Sequence, residues 1–313
     1  MKAATYSLIF CFILPVWVLG QQQGQLSQYM LNYYLINPAA GGTEDNVDIK
    51  ASYRAQWVGL ENAPKTFYAS LHTPIGKIHA NHQGKLRNKE SASHQTLGGM
   101  VRGLTTGVLH QTGAYVSYGY HIPLAKRHFL SLGAMFGLVQ YGLAGGNDVD
   151  ASDQAMNVRT VYRPDGNLGA WLYGPHYFIG LSSLQIFGDV TRFNGENTIM
   201  NRHYYLTGGY AFQVGEHVKV IPSFLGKYSA HAYQMDVNAK VRYMDKLWMG
   251  LSYRYQDAYV VLIGAFIGKS LSVGYSYDYT VSNLNQFSAG SHEILLGYRF
   301  YKAEQVISPS DFW

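Results

Sequence analysis

Hydrophobic and polar residues alternate with a period of two in many segments of this chain. From Tyr233 to Tyr243 every second residue is apolar or aromatic, and the residues between them are Gln, Asp, Asn, Lys and Arg. The same alternation occurs over residues 47–57, 246–256 and 270–280. Successive side chains of a β-strand point to opposite faces, so this pattern predicts strands that each have one apolar and one polar face.

Strict alternation over about ten residues is typical of transmembrane β-strands, because lipid-facing and lumen-facing side chains must alternate along a closed wall. Bacterial barrels require an even number of strands, and fourteen segments show the pattern. We therefore predict an all-β fold, a transmembrane antiparallel β-barrel of about 14 strands of the outer-membrane type. The predicted segments are 47–57, 65–74, 95–103, 110–122, 127–139, 166–173, 176–184, 203–214, 217–226, 233–244, 246–256, 259–267, 270–280 and 291–301.

The composition favours a membrane barrel over a soluble β-sandwich, whose strands also alternate. The chain has 27 tyrosines and 34 glycines but only 14% charged residues, against roughly 25% in an average soluble domain. A sandwich would carry Lys, Glu and Thr on its solvent face, whereas the polar faces here hold Gly, Ser and isolated charges. Tyrosines recur at the strand ends, as in the aromatic girdles of membrane barrels.

The first 20 residues predict a secretory signal peptide that is cleaved after Gly20. They begin with Met1-Lys2 and continue with an apolar core over residues 8–19, followed by polar residues. A transmembrane anchor is the alternative, but it needs about 20 apolar residues, and this core is shorter and contains Pro15. The only cysteine, Cys11, lies within the core, so the mature chain has no thiol.

The charge pattern and motifs predict neither nucleic-acid binding nor catalysis. Without Lys2, 23 basic residues face 19 acidic ones, and the mature net charge of +4 is spread singly along the chain, unlike the basic patches of nucleic-acid binders. No nucleophile-elbow motif occurs, and the twelve histidines lack metal-ligand spacing. We therefore predict no enzymatic activity, no cofactor and no metal.

The lengths of the predicted connections suggest an orientation. Outer-membrane barrels have tight periplasmic turns and longer external loops when both termini lie in the periplasm, and the predicted connections follow this rule with one exception. The connection Ile75–His94 is long, carries four basic residues and would be periplasmic. It is either a docking surface for a periplasmic partner or a tolerated insertion.

Several segments, in order along nearly the whole mature chain, resemble the PorP/SprF family of type IX secretion system membrane proteins. These segments are Gln25–Asn32, Ile36–Ala39 with Gly41, Tyr53–Arg54 with Gln56–Trp57, Arg202–Leu206, Gly274–Asp278, Gly290–Ile294 and the aromatic end Phe312–Trp313. Two features depart from the family: the long 75–94 connection, and the absence of a basic residue at Ser310 or Asp311.

The resemblance implies a barrel in the outer membrane of a Gram-negative bacterium. It also implies partnership with periplasmic and outer-membrane secretion proteins, and support for the export or surface attachment of large cargo such as gliding adhesins. An outer-membrane channel or uptake barrel for small or hydrophobic compounds is the alternative function. The family motifs supply candidate residues for architecture or partner contact, namely Asn37, Pro38, Arg54, Trp57, His203, Asp278, His292 and Glu293.

A barrel of 14 strands encloses more space than an eight-stranded one, which side chains can fill. Residues 21–46 are too apolar for a free tail, so we expect them to form a plug at the periplasmic mouth, ahead of the barrel (47–301) and a C-terminal tail (302–313). The strand pattern places five charged residues on the lumen face, where they form either an ion-pair lattice or scattered charges in a wet lumen. These residues are Arg54, Arg254, Asp278, Glu293 and Arg299.

Overall fold

The computed structural model describes residues 24–44, 46–75, 93–143, 160–188, 190–193, 196–199, 201–229, 232–268 and 270–301. The predicted signal peptide, the basic part of the 75–94 connection and the predicted C-terminal tail lie outside these residues. Among the helices of the described residues, none is long and apolar enough to cross a membrane.

Fourteen antiparallel strands of the described chain close into one barrel, and each lies at a segment that the alternation predicted. The described residues contain seventeen strand segments, of which β8 and β9 lie outside the wall and β10 and β11 together make one barrel strand. The segments are β1 (Asn46–Ala55), β2 (Lys65–Ile75), β3 (His94–Thr106), β4 (Leu109–Ala125), β5 (His128–Leu143), β6 (Val161–Tyr173), β7 (Tyr177–Leu184), β8 (Val190–Phe193), β9 (Glu196–Ile199), β10 (His203–Tyr210), β11 (Phe212–Val214), β12 (Val218–Ser229), β13 (Ala232–Tyr243), β14 (Leu247–Arg254), β15 (Ala258–Ile267), β16 (Leu271–Thr280) and β17 (Ser291–Tyr301).

The wall follows the chain order, and its first and last strands close it. β7 pairs with β10, β10 pairs with β12, and β11 continues the line of β10 along β12, while β8 and β9 form a separate hairpin. β1 pairs with β17 over ten residues, from Asn46 opposite Tyr301 to Ala55 opposite His292. This β1–β17 seam removes the open edges that a sheet cannot leave exposed in lipid.

The two faces of each strand are distributed as a membrane barrel requires. On β13, Tyr233, Met235 and Val237 point outward and are exposed, whereas Asp236 and Asn238 point inward and are buried. A soluble sandwich would show the opposite arrangement, with its polar face in water. The apolar faces therefore form the lipid-facing surface, and the polar faces line the lumen.

Exposed aromatic side chains form a girdle at each end of the wall, at the heights where lipid headgroups lie. We call the end where β1 begins and β17 ends the near end, and the opposite end the far end. The far girdle includes Tyr53, Tyr204, Tyr228, Tyr233, Tyr253, Tyr259 and Tyr279, and the near girdle includes Tyr210, Phe212, Tyr243, Tyr298 and Phe300.

The connections differ between the two ends. Those at the near end are tight turns, apart from the 76–93 connection, and the far end carries the long connections 144–160, 185–202 and 281–290. Three far-end connections are also short, at residues 107–108, 230–231 and 255–257. The predicted difference between the ends therefore holds for the long connections, but the far end also contains short ones.

At the far end the wall is shorter between β6 and β7 than elsewhere along β6. The hydrogen-bonded pairing of these two strands ends at Leu168 opposite Ser183. Beyond that pair, Pro164 has no N–H, the N–H of Gly166 donates to Asp165 Oδ1 at 2.7 Å, and the C=O of Gly166 accepts from Ile186 N at 2.9 Å. Proline and local bonding of this kind keep another strand from adding to an edge.

We predict that Leu251→Arg, in the middle of the lipid-facing surface of β14, strongly weakens insertion into lipid vesicles. Arginine at the bilayer midplane destabilises a barrel by about 2–4 kcal/mol, whereas the same change at an exposed position in water has little effect. The measurement is the urea midpoint of unfolding in vesicles. Gln286→Arg, at an exposed position of a far-end connection, is the control. Equal midpoints for the two variants would contradict a lipid-facing β14.

Candidate functional site

The lumen of the barrel contains residues 24–44 of the same chain, which we call the luminal segment. It has no regular strand or long helix and forms three short 3-10 turns, at Gln28–Leu31, Tyr33–Leu35 and Pro38–Ala40. From Ser27 to Glu44 every residue is buried. The segment therefore occupies the space that side chains alone cannot fill in a barrel of this size.

At the far end the segment is held by a buried ion cluster that spans the seam, which we call the seam cluster. Arg54 Nη2 lies 2.8 Å from Asp278 Oδ2, and Arg54 Nη1 lies 3.5 Å from Glu293 Oε2. Arg254 Nη1 lies 3.1 Å from the same Asp278 oxygen. All four charged side chains are almost completely buried, so each depends on the others for its stability.

Ser27 connects the luminal segment to the seam cluster. Its hydroxyl donates to Asp278 Oδ2 at 2.6 Å and accepts from Arg54 Nη1 at 2.9 Å and from Arg254 Nη2 at 3.1 Å. Its N–H donates to Glu293 Oε2 at 2.7 Å. Since Arg54 belongs to β1 and Glu293 to β17, the segment is bonded to both strands of the seam.

In the middle of the lumen the segment bonds to strands on several sides of the wall. Asn238 Nδ2 donates to Tyr29 Oη at 2.7 Å, Asn32 Nδ2 donates to Ser70 Oγ at 2.9 Å, and the hydroxyls of Tyr34 and Ser117 lie 2.5 Å apart. The ring of Tyr33 packs on Trp171 and Phe178, with centroids 5.4 and 4.8 Å apart. These contacts fix the segment against opposite parts of the wall.

Asn37 and Pro38 lie deep in the lumen, against β5, β6 and β7. The side-chain amide of Asn37 donates to the carbonyls of Ala170 at 3.0 Å and Leu181 at 3.1 Å, which belong to neighbouring strands. Its Oδ1 accepts from the N–H of Ala39 at 3.0 Å and so begins the turn in which Pro38 is the first residue. One side chain thus both shapes the segment and attaches it to the wall.

Glycines on the inner face of the wall make room for the segment. A Cβ at Gly133 would lie 2.5 Å from the backbone nitrogen of Ala39, and one at Gly98 would lie 2.5 Å from Tyr34 Oη. A Cβ at Gly169 would overlap Oδ1 of Asn37. The segment and the wall are therefore complementary in shape, and part of the high glycine content has a specific function in this fit.

At the near end three histidines bond to Gly41 and Gly42 of the segment. His72 Nδ1 accepts from the N–H of Gly42 at 3.2 Å, His94 Nε2 donates to the Gly42 carbonyl at 3.0 Å, and His121 Nε2 lies 3.0 Å from the Gly41 carbonyl. His94 and His121 also stack, with centroids 4.1 Å apart. Within the described ranges no three His, Cys, Asp or Glu residues are placed to hold a metal ion.

A second ion cluster lies where the segment joins β1. Arg299 Nε lies 3.2 Å from Asp48 Oδ2 and 3.7 Å from Glu44 Oε2, and Lys50 Nζ lies 2.9 Å from Asp48 Oδ2. Together with the seam cluster, it places all five predicted lumen charges in ion pairs. Of the two expectations for the lumen, the ion-pair lattice agrees with the structure.

The structure brings together three of the eight candidate residues, Arg54, Asp278 and Glu293, and places Asn37 and Pro38 in the same segment-to-wall packing. The other three lie apart from this site. Trp57 is in a far-end connection and bonds through its N–H to Ser291 Oγ at 3.0 Å; His203 is buried on the inner face of β10; the ring of His292 lies against Tyr275 and Tyr277 on the outside.

Sequence reasoning missed Ser27, the glycines and the histidine contacts. Ser27 lies 251 residues from Asp278 in the chain, and nothing local distinguishes it. The stacked pair of histidines did leave a signal, because His94 and His121 face each other in the β3–β4 register. Building the hairpin from the predicted strands would have found this pair.

A cavity of about 70 Å³ remains beside the segment in the far half of the lumen. Most of its lining is apolar, and Arg102 and Lys227 contribute polar surface. Both cations have partners, since Arg102 Nη2 lies 3.4 Å from Asp165 and Lys227 Nζ lies 3.4 Å from Asp236. The cavity is about half the roughly 150 Å³ of an engineered cavity that binds benzene.

We predict that Arg54→Met destabilises the folded barrel by about 3–5 kcal/mol, because it leaves the buried carboxylates of Asp278 and Glu293 without their shared cation. The measurement is urea unfolding in detergent micelles, followed by the shift in electrophoretic migration between folded and heated samples. Lys65→Met, at an exposed position beside the end of β1, is the matched control and should change stability by less than about 0.5 kcal/mol. Similar losses of unfolding free energy in both variants would show that the seam cluster does not stabilise the barrel more than an exposed charge does.

Solved structures similar to this chain are outer-membrane proteins and transporters. The P. putida toluene transporter TodX has a TM-score of 0.48 at 9% identity, with 86% of this chain and 93% of that chain covered. The Acinetobacter baumannii outer membrane protein Omp33 has a TM-score of 0.46 at 12% identity, with 83% and 100% covered. A Pseudomonas aeruginosa FadL homologue has a TM-score of 0.46 at 11% identity, with 87% and 93% covered.

Comparison with curated protein sequences gave no significant match. A family model matches residues 18–298, which include the luminal segment and nearly the whole wall. Its description is type IX secretion system membrane protein PorP/SprF. The match confirms the resemblance drawn from the sequence motifs, and the chain belongs to the PorP/SprF family of type IX secretion system membrane proteins.

Proposed function

We propose that this outer-membrane barrel supports type IX secretion as a closed, self-plugged docking component, and that cargo does not pass through its lumen. The observation that carries the proposal is the burial of the luminal segment, which is bonded to the wall at the far end, in the middle and at the near end. A polypeptide in transit would have to displace both ion clusters and the Asn37 contacts. The wall and its connections then remain as the surfaces that can serve other proteins.

The proposal extends to processing and orientation. The signal peptide (1–20) is removed after Gly20, residues 21–46 form the plug, and both ends of the wall, at Asn46 and Tyr301, face the periplasm. The near end then faces periplasmic secretion proteins, and the far end faces the cell surface. Large cargo such as gliding adhesins is exported or attached with the help of this barrel, and lipid and secretion-system proteins are its partners.

Five of the eight candidate residues divide into two roles under this proposal. Arg54, Asp278 and Glu293 serve architecture, since their side chains are almost fully buried against the segment. Trp57 and His292 lie closer to the surface and are the candidates for partner contact. None of the eight has a catalytic role.

An uptake channel for small or hydrophobic compounds is the alternative, and the apolar cavity is the feature that favours it. At about 70 Å³ the cavity is too small for an aromatic ring unless the segment moves. Electrical conductance separates the two functions, because a plugged docking barrel is silent and an uptake channel has an aqueous route.

We predict that the full-length barrel is non-conducting in planar bilayers and that deletion of Gln25–Gly41 opens it, because the deletion removes most of the segment that fills the lumen. Single-channel recording measures the result, on material whose folding is checked by heat-dependent migration in electrophoresis. A deletion variant that folds and stays closed would refute the plug.

Gly133→Leu provides a second variant in case the deletion does not fold, because its side chain must displace Pro38–Ala39 while the wall stays complete. Gly142→Leu is its matched control, since it lies on the same strand and nothing is within 4 Å of a Cβ placed there. We expect current through the first variant and none through the second.

We predict that the tagged barrel, purified from detergent-solubilised membranes, brings down periplasmic or outer-membrane secretion proteins, and that deleting its gene removes large adhesin-like proteins from the cell surface. Mass spectrometry of the pull-down and of surface-shaved peptides measures both, with an untagged strain as the control. Recovery of the barrel alone, together with an unchanged set of surface proteins, would argue for the channel.

A further inference from the structure

The luminal segment starts at the far end of the barrel. A side chain added at Gly24 would contact Thr66 and Leu104, which lie at the far-end parts of β2 and β3. Gln25 Oε1 accepts from Gln56 Nε2 at 3.4 Å, just after β1, and from Arg254 Nη1 at 3.2 Å, at the last residue of β14. The described chain therefore begins beside the far-end connections.

The segment finishes at the near end. Gly41 and Gly42 contact His72, His94 and His121, which lie in the near-end parts of β2, β3 and β4. Glu44 then pairs with Arg299 two residues before the end of β17, and β1 begins at Asn46. The two ends of the segment are thus separated by the height of the wall.

Between these points the contacts run overall from the far end to the near end. Ser27 bonds near the far end of β17, Tyr29 bonds to the middle of β13, and Asn37 bonds to the near-end half of β6. The descent is not uniform, because Leu31 lies beside Lys50 and Arg299 whereas Leu35 and Ile36 line the cavity in the far half. The path is a single crossing of the lumen, not a loop inserted from one mouth.

We infer that this polypeptide crosses the outer membrane once inside its own barrel before it begins to build the wall, so that Gly24 and Asn46 face opposite sides of the membrane. An even-stranded barrel normally keeps both chain ends on one side. Here the first and last wall residues, Asn46 and Tyr301, lie on the same side, as the rule requires. The segment that precedes the wall begins on the opposite side. The inference requires only that the barrel lies in the membrane. The proposed orientation is used solely to say which side is the cell surface and which is the periplasm.

The inference places the start of the described chain among the far-end connections. Gly24, Gln25 and Leu26 are partly exposed there. They lie beside the 56–64 connection, which is joined to the 281–290 connection by Val58 N to Gly290 O at 2.8 Å and Ala289 N to Val58 O at 2.7 Å. In the proposed orientation, the start of the described chain is accessible from the cell surface, whereas the wall ends are accessible from the periplasm.

Cysteine labelling on intact cells tests the inference. In a Cys11→Ser background, a Gly-Ser-Cys insertion immediately before Gly24 is compared with Glu61→Cys, in a far-end connection, and with Glu216→Cys, in a near-end turn; both glutamates are exposed. A membrane-impermeant maleimide is applied to intact and to lysed cells. We expect the inserted cysteine to label with the same sidedness as Glu61→Cys and the opposite sidedness to Glu216→Cys.

Labelling of the insertion together with Glu216→Cys would overturn the inference, and so would failure to label in both intact and lysed cells. The criterion is agreement with Glu61→Cys, so a reversed orientation of the whole barrel does not change the conclusion. Secretion is scored separately in the same strains. If the surface proteome is normal but the inserted cysteine labels with Glu216→Cys, the crossing is wrong and the secretion role stands. If the cysteine labels with Glu61→Cys but the surface proteome is unchanged by deletion of the gene, the crossing stands and the secretion role is wrong.

Discussion

The closure of the wall between β1 and β17 is the contact on which the rest of the molecule depends. In lipid, every backbone N–H and C=O of the wall must be paired within the protein, and the ten residue pairs of the seam meet that requirement for the first and last strands. Closure also encloses a lumen lined with charged side chains, which are costly unless paired. The luminal segment and the two ion clusters meet this second requirement. The closed wall and the segment that fills it therefore depend on each other.

The filled lumen separates this barrel from one built as an open pore. Ser27, Asn37 and the Gly41–Gly42 turn attach the segment at successive depths, and the inner-face glycines leave the space that it occupies. A lumen packed in this way is the basis of the proposal that the ends and the outer face of the barrel serve its function. Membership of the PorP/SprF family places this arrangement in the type IX secretion system.

Much of the wall could be predicted from the sequence, because alternation is a local property that each strand carries by itself. Tyr233–Tyr243 alone predicts a strand, its lipid face and its lumen face, and the inward charges Arg54 and Asp278 follow from the same rule. The path of the segment could not be predicted, since its 3-10 turns have no period and its bonds join residues far apart in the chain. An apolar start was evident from Tyr29 to Ile36, but its extent through the lumen depends on partners such as Glu293, 266 residues from Ser27.

The bonds that Ser27 makes with both strands of the seam have a consequence for the order of assembly. The segment is joined covalently to β1 through residues 44–46, so it stays at a high effective concentration beside that strand throughout synthesis and folding. Glu293 accepts from the N–H of Ser27 and pairs with Arg54, so β17 completes the seam on a surface to which the segment and β1 both contribute. A cylinder that had already closed would have to admit the chain start by threading. Closing the seam around a segment that already lies inside avoids that threading step.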